Sequence, residues 1–240
     1  MEKLFNMIAL VPKMATDDYV GFTFFVGCMA MMAASAFFFL SLSSFDGKWR
    51  TSILVSGLIT FIAAVHYYYM RDYWADVQES PTFFRYVDWI LTVPLMCVEF
   101  YLILKAAGAT KSLLWKLITL SVIMLVTGYW GEAVARDQAA FWGLLSGIAY
   151  FVIVYEIWFG GASKLAKSAG GAVESAHKTL CWFVLVGWSI YPLGYMLGTD
   201  GWYDFLHVIN LDMDVVYNIG DAINKIGFGL VVYNLAASSK

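Results

Sequence analysis

Charge is what this sequence has least of. Only 14% of its 240 residues are Asp, Glu, Lys or Arg, where an ordinary soluble domain carries about 25%. The net charge is −3 with no basic stripe, which excludes a nucleic-acid binder. Proline numbers four and cysteine three. Cys28, Cys97 and Cys181 stand singly inside apolar runs with no CxxC pair, so they read as packing residues and no metal site is expected. The absence of a repeat period excludes a solenoid or a collagen-like chain. What is abundant is hydrophobic: 61% of residues are apolar and 18% aromatic. That balance excludes disorder and describes a chain built for a bilayer.

A helix needs roughly 20 apolar residues to cross about 30 Å of hydrocarbon. Seven runs meet that requirement, at approximately Tyr19–Ser41, Thr51–Met70, Phe83–Ala107, Leu113–Trp130, Ala140–Phe159, Thr179–Leu197 and Asp214–Ala236. They are continuously apolar, whereas a membrane β-barrel would alternate over about 10 residues. An all-α, single-domain bundle of seven transmembrane helices spanning 1–240 is expected. Every connection is short except Gly160–Lys178 and Gly198–Met213, so no soluble domain is left over. Residues 1–16 read as a short amphipathic lead-in. A cleaved signal peptide stays open as an alternative, although Glu2, Pro12 and Lys13 fit one poorly.

Lys and Arg set the direction. With the N-terminus extracellular or periplasmic, the cytoplasmic side receives Lys48, Arg50, Lys105, Lys111, Lys116, Lys164, Lys167, Lys178 and Lys240, while the outer side receives Lys3, Lys13, Arg71 and Arg136. Nine against four favours N-terminus out and C-terminus in. Asp72, Asp76, Glu79, Asp137, Asp200, Asp204 and Asp212 all fall on the outer connections.

A few ionisable residues remain inside the spans, where each charge costs at least about 2.5–3.5 kcal/mol and is a functional-site hypothesis by default. Span three carries Arg85, Asp88 and Glu99, span seven carries Asp221 and Lys225, and span two carries His66. Helical rise predicts an order from outside to inside of Arg85, then Asp88 with Asp221 and His66, then Lys225, then Glu99. Asp88 and Glu99, about three turns apart, share a face. Asp221 and Lys225 share another at i,i+4. Interhelical ion pairing could explain four of these residues as mere fastening, but it leaves Glu99 without a basic partner. His66 alone reads more readily as a satisfied interior histidine than as a working group. A neutral lysine in a dry pocket is a nucleophile toward an aldehyde. Once joined, its cation would need counter-ions, which two carboxylates and an arginine supply with net charge −1. A carboxyl in the apolar inner half is expected to keep its proton, because a dry setting disfavours the charged form. A protonated group on one side and an ionised one on the other suit a directional proton carrier.

Three motifs on different helices resemble the proteorhodopsin group of the type I microbial rhodopsins: Arg85-Tyr86-Val87-Asp88-Trp89 through Glu99-Phe100-Tyr101, Trp188-Ser189-Ile190-Tyr191-Pro192, and Asp221-Ala222-Ile223-Asn224-Lys225. The similarity runs from about Asp17 to the end. It implies all-trans-retinal bound covalently to Lys225 as a protonated Schiff base, with Asp88 the proton acceptor, Asp221 the second counter-ion and Glu99 the cytoplasmic proton donor. Arg85, His66 and Thr92 complete the counter-ion complex, His66 by a hydrogen bond to Asp88. Trp89, Met96, Trp188, Tyr191 and Pro192 would form the retinal pocket, and the apolar Met96 resembles the green-absorbing class. The implied activity is a light-driven outward proton pump, an ion transporter rather than an enzyme, in the bacterial inner membrane. The resemblance also implies contact with lipid and a homo-oligomer, pentameric or hexameric. Two rivals remain: a slow-photocycle sensory rhodopsin signalling to a partner, and a retinal-free receptor or transporter. Glu132 reads as a solvated helix end. The Trp142-Gly143 pair leaves a carotenoid antenna undecided.

Overall fold

In the computed structural model, Ala15 and residues 17–239 are described. The lead-in at 1–16, and with it the signal-peptide question, lies outside the described residues apart from Ala15. Among the described residues all regular structure is helical: α1 (Tyr19–Ser41), α2 (Gly47–Val77), α3 (Thr82–Leu104), α4 (Lys111–Tyr129), α5 (Ala139–Trp158), α6 (Gly161–Ala169), α7 (Gly171–Trp182), α8 (Ile190–Leu197) and α9 (Met213–Ser238). Among the described residues seven stretches are long and apolar enough to cross a membrane, as the sequence predicts. Consecutive spans pack side by side, and α9 closes the ring against α1 and α2. One end of the bundle carries Asp18 and Asp212, and the opposite end carries Lys105.

Local chemistry sets the helix ends. Asp18 accepts a hydrogen bond from the Gly21 amide at 2.7 Å and caps α1. Asp212 caps α9 in the same way through Val215. Helix α2 runs seven residues past the predicted Met70 and stops where Gln78 turns left-handed at φ 57°. The apolar run ends earlier than the helix because Arg71, Asp72 and Asp76 face water without breaking the backbone pattern.

The connection predicted at Gly160–Lys178 is helical instead. Helix α6 and the first turns of α7 fill it, broken only at Gly170, whose φ of 63° suits a residue without a side chain. Helix α6 and the first turns of α7 are short and carry Lys164, Lys167, Glu174 and Lys178, so the search for a 20-residue apolar run passes over them. Glu156, near the end of α5, ties this segment down: it pairs with Lys116 and accepts from the Gly161 amide at 2.7 Å.

The sixth span is not one regular helix. Between α7 and α8, residues Phe183–Gly187 form a wide π-helical turn. A second π-helical turn, Trp130–Val134, ends the fourth span. Such turns leave carbonyls outside the regular ladder, where side chains can reach them.

Candidate functional site

Helix α9 brings Lys225 into the middle of the bundle, where it is 2% exposed. Its ammonium touches a carboxylate oxygen of Asp88 from α3 and lies 2.7 Å from Oδ2 of Asp221, one turn away on its own helix. The sequence predicts the lysine one step inward of the two carboxylates, yet all three meet at one level. Helical side chains lean toward their helix N-terminus, so the long lysine stem climbs back toward the Asp18 end and past one turn of α9.

The two carboxylates are held unequally. Asp221 accepts from Tyr191 at 2.6 Å and from Tyr67 at 3.1 Å in addition to Lys225. Asp88 has the lysine on Oδ2, while its Oδ1 is buried without a hydrogen-bond partner among the described residues. The expected hydrogen bond from His66 is not made. His66 Nδ1 lies 3.8 Å from Asp88 Oδ1 and is turned to its own helix, 2.9 Å from the Ile62 carbonyl. A carbonyl acceptor one turn back along the helix is always within reach, and that local bond wins here. Thr92 also serves its own helix, donating to the Asp88 backbone carbonyl at 2.9 Å.

Arg85 lies toward the Asp18 end from the carboxylates, in the order that helical rise predicts, with partners that the sequence did not reveal. It does not contact Asp88 or Asp221; its Nη2 pairs with Asp214 at 2.7 Å and with the Asn218 amide oxygen at 2.9 Å, and its guanidinium lies over the rings of Phe24 and Tyr217. Arg85 sits in the first turn of α3 and leans toward the Asp18 end, where the first turn of α9 offers Asp214. Ser80 donates to the same carboxylate oxygen at 2.9 Å. Asp214 was not among the sequence candidates because at a helix start it reads as a cap. Its spacing of four from Asn218 and seven from Asp221 puts all three on one face, and that was the available signal.

Glu99 lies two to three turns away from this cluster toward the Lys105 end and is fully buried. Ser56 from α2 donates to its Oε1 at 2.9 Å, and Oε2 has no partner among the described residues. Ser52, one turn along α2, is equally buried with its hydroxyl unpaired among the described residues. His177 and Cys181 of α7 are buried on the other side of Phe100, whose ring meets His177 edge-on at 5.6 Å. The three cysteines are free and buried, in keeping with packing roles.

A cavity of about 670 Å³ adjoins the cluster, walled by Trp89, Trp188, Tyr191 and Pro192 together with Tyr150 and Leu185. Lys225 and Met96 are not in its wall. Met96 is buried in the core, and Tyr191 spans the partition by lining the cavity while hydrogen-bonding Asp221. Glu132 is no solvated helix end: the Tyr86 hydroxyl donates to it at 2.8 Å, and both residues line the cavity. At Gly143 the Tyr195 ring occupies the place a side chain would need.

Fold and site define a seven-span membrane protein organised around a buried lysine and its paired carboxylates. A family model described as bacteriorhodopsin-like protein matches residues 18–239, and the chain belongs to that family. The green-light absorbing proteorhodopsin of Gamma-proteobacterium EBAC31A08 is 43% identical over 225 residues, covering 92% of this chain and 87% of the relative. The blue-light absorbing proteorhodopsin of Gamma-proteobacterium Hot 75m4 is also 43% identical, over 222 residues and with the same coverage. Overall identity therefore does not choose between the colours. Among solved structures, blue light-absorbing proteorhodopsin from Med12 superposes with a TM-score of 0.77 at 41% identity, covering 93% of this chain and all of that one. Xanthorhodopsin, described as a light-driven ion pump with dual chromophore, superposes with a TM-score of 0.78 at 28% identity, covering 92% of this chain and 93% of that one.

Proposed function

We propose that this protein is a light-driven outward proton pump carrying all-trans-retinal on Lys225, with Asp88 as proton acceptor and Glu99 as proton donor. The relatives named above support light as the input. The observation that carries the direction of transfer is the unequal holding of the two carboxylates around the lysine. Asp221, fixed by two tyrosine hydroxyls and the ammonium, gains little from a proton, because hydrogen bonds to a charged carboxylate favour the charged form. Asp88, with a bare buried oxygen, gains a great deal.

The residues present fit the chromophore. The cavity falls within the roughly 300–1,000 Å³ of ordinary ligand pockets and is predominantly apolar. Its aromatic walls, Trp89, Trp188 and Tyr191, suit a flat conjugated chain. Retinal bound there supplies a cation whose isomerisation in light changes which way the lysine nitrogen can hand its proton. The protein does the rest. Asp88 Oδ1 receives the proton leaving the lysine nitrogen, and Asp221 stays ionised as the remaining counter-ion. Glu99, in a dry setting with one serine for company, holds a proton until the nitrogen needs it. Arg85, tied to Asp214, places a positive charge between the acceptor and the Asp18 end. Moving one charge against about 100–200 mV takes roughly 2–5 kcal/mol.

The Asp18 end is the outer face in this reading, supported by the lysines and arginines gathered at the opposite end. The apolar Met96 resembles the green-absorbing class, and green absorption is part of the proposal on that ground alone. The bacterial inner membrane as its home and a homo-oligomeric ring of single-domain subunits complete the proposal. Cells expressing the chain with all-trans-retinal should acidify their medium reversibly in light, and a protonophore should abolish the change. A coloured, inserted protein that moves no protons would overturn the pump, and a photocycle lasting seconds would favour the sensory alternative.

A further inference from the structure

The lysine amine is sealed from both ends of the bundle. Toward the Asp18 end lie Arg85, Asp214 and Tyr217, and toward the Lys105 end the buried side chains of Trp188, Met96, Phe100 and Phe228 close the interior. The cavity against Trp89, Trp188 and Tyr191 is open on a third side. Its wall includes Leu144, Ile148 and Phe151 of α5, which are 47%, 53% and 64% exposed, and Ser189 of the sixth span, also exposed. Between them, a side chain built on Gly147 would meet nothing within 4 Å. These positions lie mid-span, so what reaches the opening is lipid, not water.

We infer that the gap between α5 and the sixth span, at Gly147, Ile148 and Ser189, is the portal through which the chromophore's aldehyde passes from the bilayer to Lys225. The inference rests on the reading above that Lys225 carries retinal. A C20 polyene aldehyde dissolves in hydrocarbon and not in water, so a route from the lipid matches where the ligand resides. The inner end of the route is Tyr191, which lines the cavity and hydrogen-bonds Asp221 beside Lys225, so the aldehyde must pass its ring before the ammonium gives its extra proton to Asp88, which it touches. The carbon–nitrogen double bond then forms, and the aldehyde oxygen leaves with the amine's two hydrogens as water.

The test uses membranes holding the full chain made without retinal, to which all-trans-retinal is added while the visible band is followed in time. Gly147→Trp should slow the rise at least about tenfold, read as the half-time to the variant's own final absorbance so that any loss of pigment from crowding the cavity does not enter, because a plugged portal delays binding. Ile148→Ala, which widens the mouth, should speed the rise, and Phe61→Trp on the lipid face of α2 should leave it unchanged. Rates equal to the parent's in both portal variants would overturn the inference. If Gly147→Trp forms no pigment, Ile148→Ala decides alone: faster uptake supports the portal and unchanged uptake refutes it. A parent chain that never colours refutes the retinal reading itself, a result distinct from either.

Discussion

Among the described residues, the bundle interior between Asp214 and Lys225 brings Arg85, Asp88, Asp214, Asp221 and Lys225 each into contact with an opposite charge, while Glu132 at its edge is served by the Tyr86 hydroxyl. From Glu99 to the Lys105 end, the buried polar groups facing it are serine hydroxyls and, beyond Phe100, the His177 ring. Ions can stay in a low-dielectric interior when paired, and breaking one partner out of such a pair costs about 3–5 kcal/mol. A carboxyl without a cation cannot stay charged there and keeps its proton instead. In the orientation proposed, the outer half is therefore built to hold charge and the inner half to hold a hydrogen. The same residue type, a buried carboxylic acid on α3, is given opposite work by its neighbours.

The contrast is broken most completely at its cation. Lys225→Ala should give no visible band with retinal and no light-driven pH change, and the unpaired carboxylates should lower apoprotein stability by about 3–5 kcal/mol in thermal unfolding. Asp88→Asn comes next. Light-driven acidification should fall by a factor of about 100 or more, and the dark pigment should be red-shifted because a counter-ion charge is gone. In the parent, acid should produce the same red shift as Asp88 takes up a proton, whereas the variant's colour should not respond. A parent absorption maximum constant from about pH 4 to 9 would contradict the assignment, since a carboxylate acceptor must titrate as pH falls.

Smaller effects sharpen the comparison. Glu99→Gln leaves the charged half intact, so the dark colour should hold while the last phase of the flash-induced absorbance recovery slows by roughly 100-fold, the scale of a lost proton donor. Asp214→Asn frees Arg85 to turn inward. Transport should drop by a few-fold, and Asp214→Glu should restore it, because about 1.4 kcal/mol of altered pairing is a tenfold change at most. Ser56→Ala removes one hydrogen bond, about 1 kcal/mol, and should alter the Glu99-dependent phase by about five-fold.

How much of this was legible in the sequence depends on range. The spans show as runs of apolar residues because the bilayer demands length from each segment by itself, and Tyr19–Ser41 is matched to the residue. Asp88, Lys225 and Glu99 show because a charge inside such a run needs a reason. What fails is everything decided by side-chain reach between helices. Arg85 was expected outward of the counter-ions, but its partner Asp214 across the bundle was not foreseen, and His66 chose its own backbone over Asp88. Tyr67 was missed among three consecutive tyrosines, of which it alone is fully buried. Its position on the polar face that carries Ser52, Ser56 and Thr60 was the signal. The gap at Gly147 leaves no trace in any one run, since it exists only where α5 stands off from the sixth span.

The wide turn at Phe183–Gly187 bears on how motion can travel. The Gly187 carbonyl, released from the regular ladder, accepts a hydrogen bond from the Asn224 side chain at 2.9 Å. Asn224 is the residue before Lys225, so this short strut, with the Phe183 ring packed against Phe228, fastens the lysine's stretch of α9 to the wide turn of the sixth span. Any shift of that stretch of α9 is therefore shared with the turn at which the sixth span changes its backbone pattern.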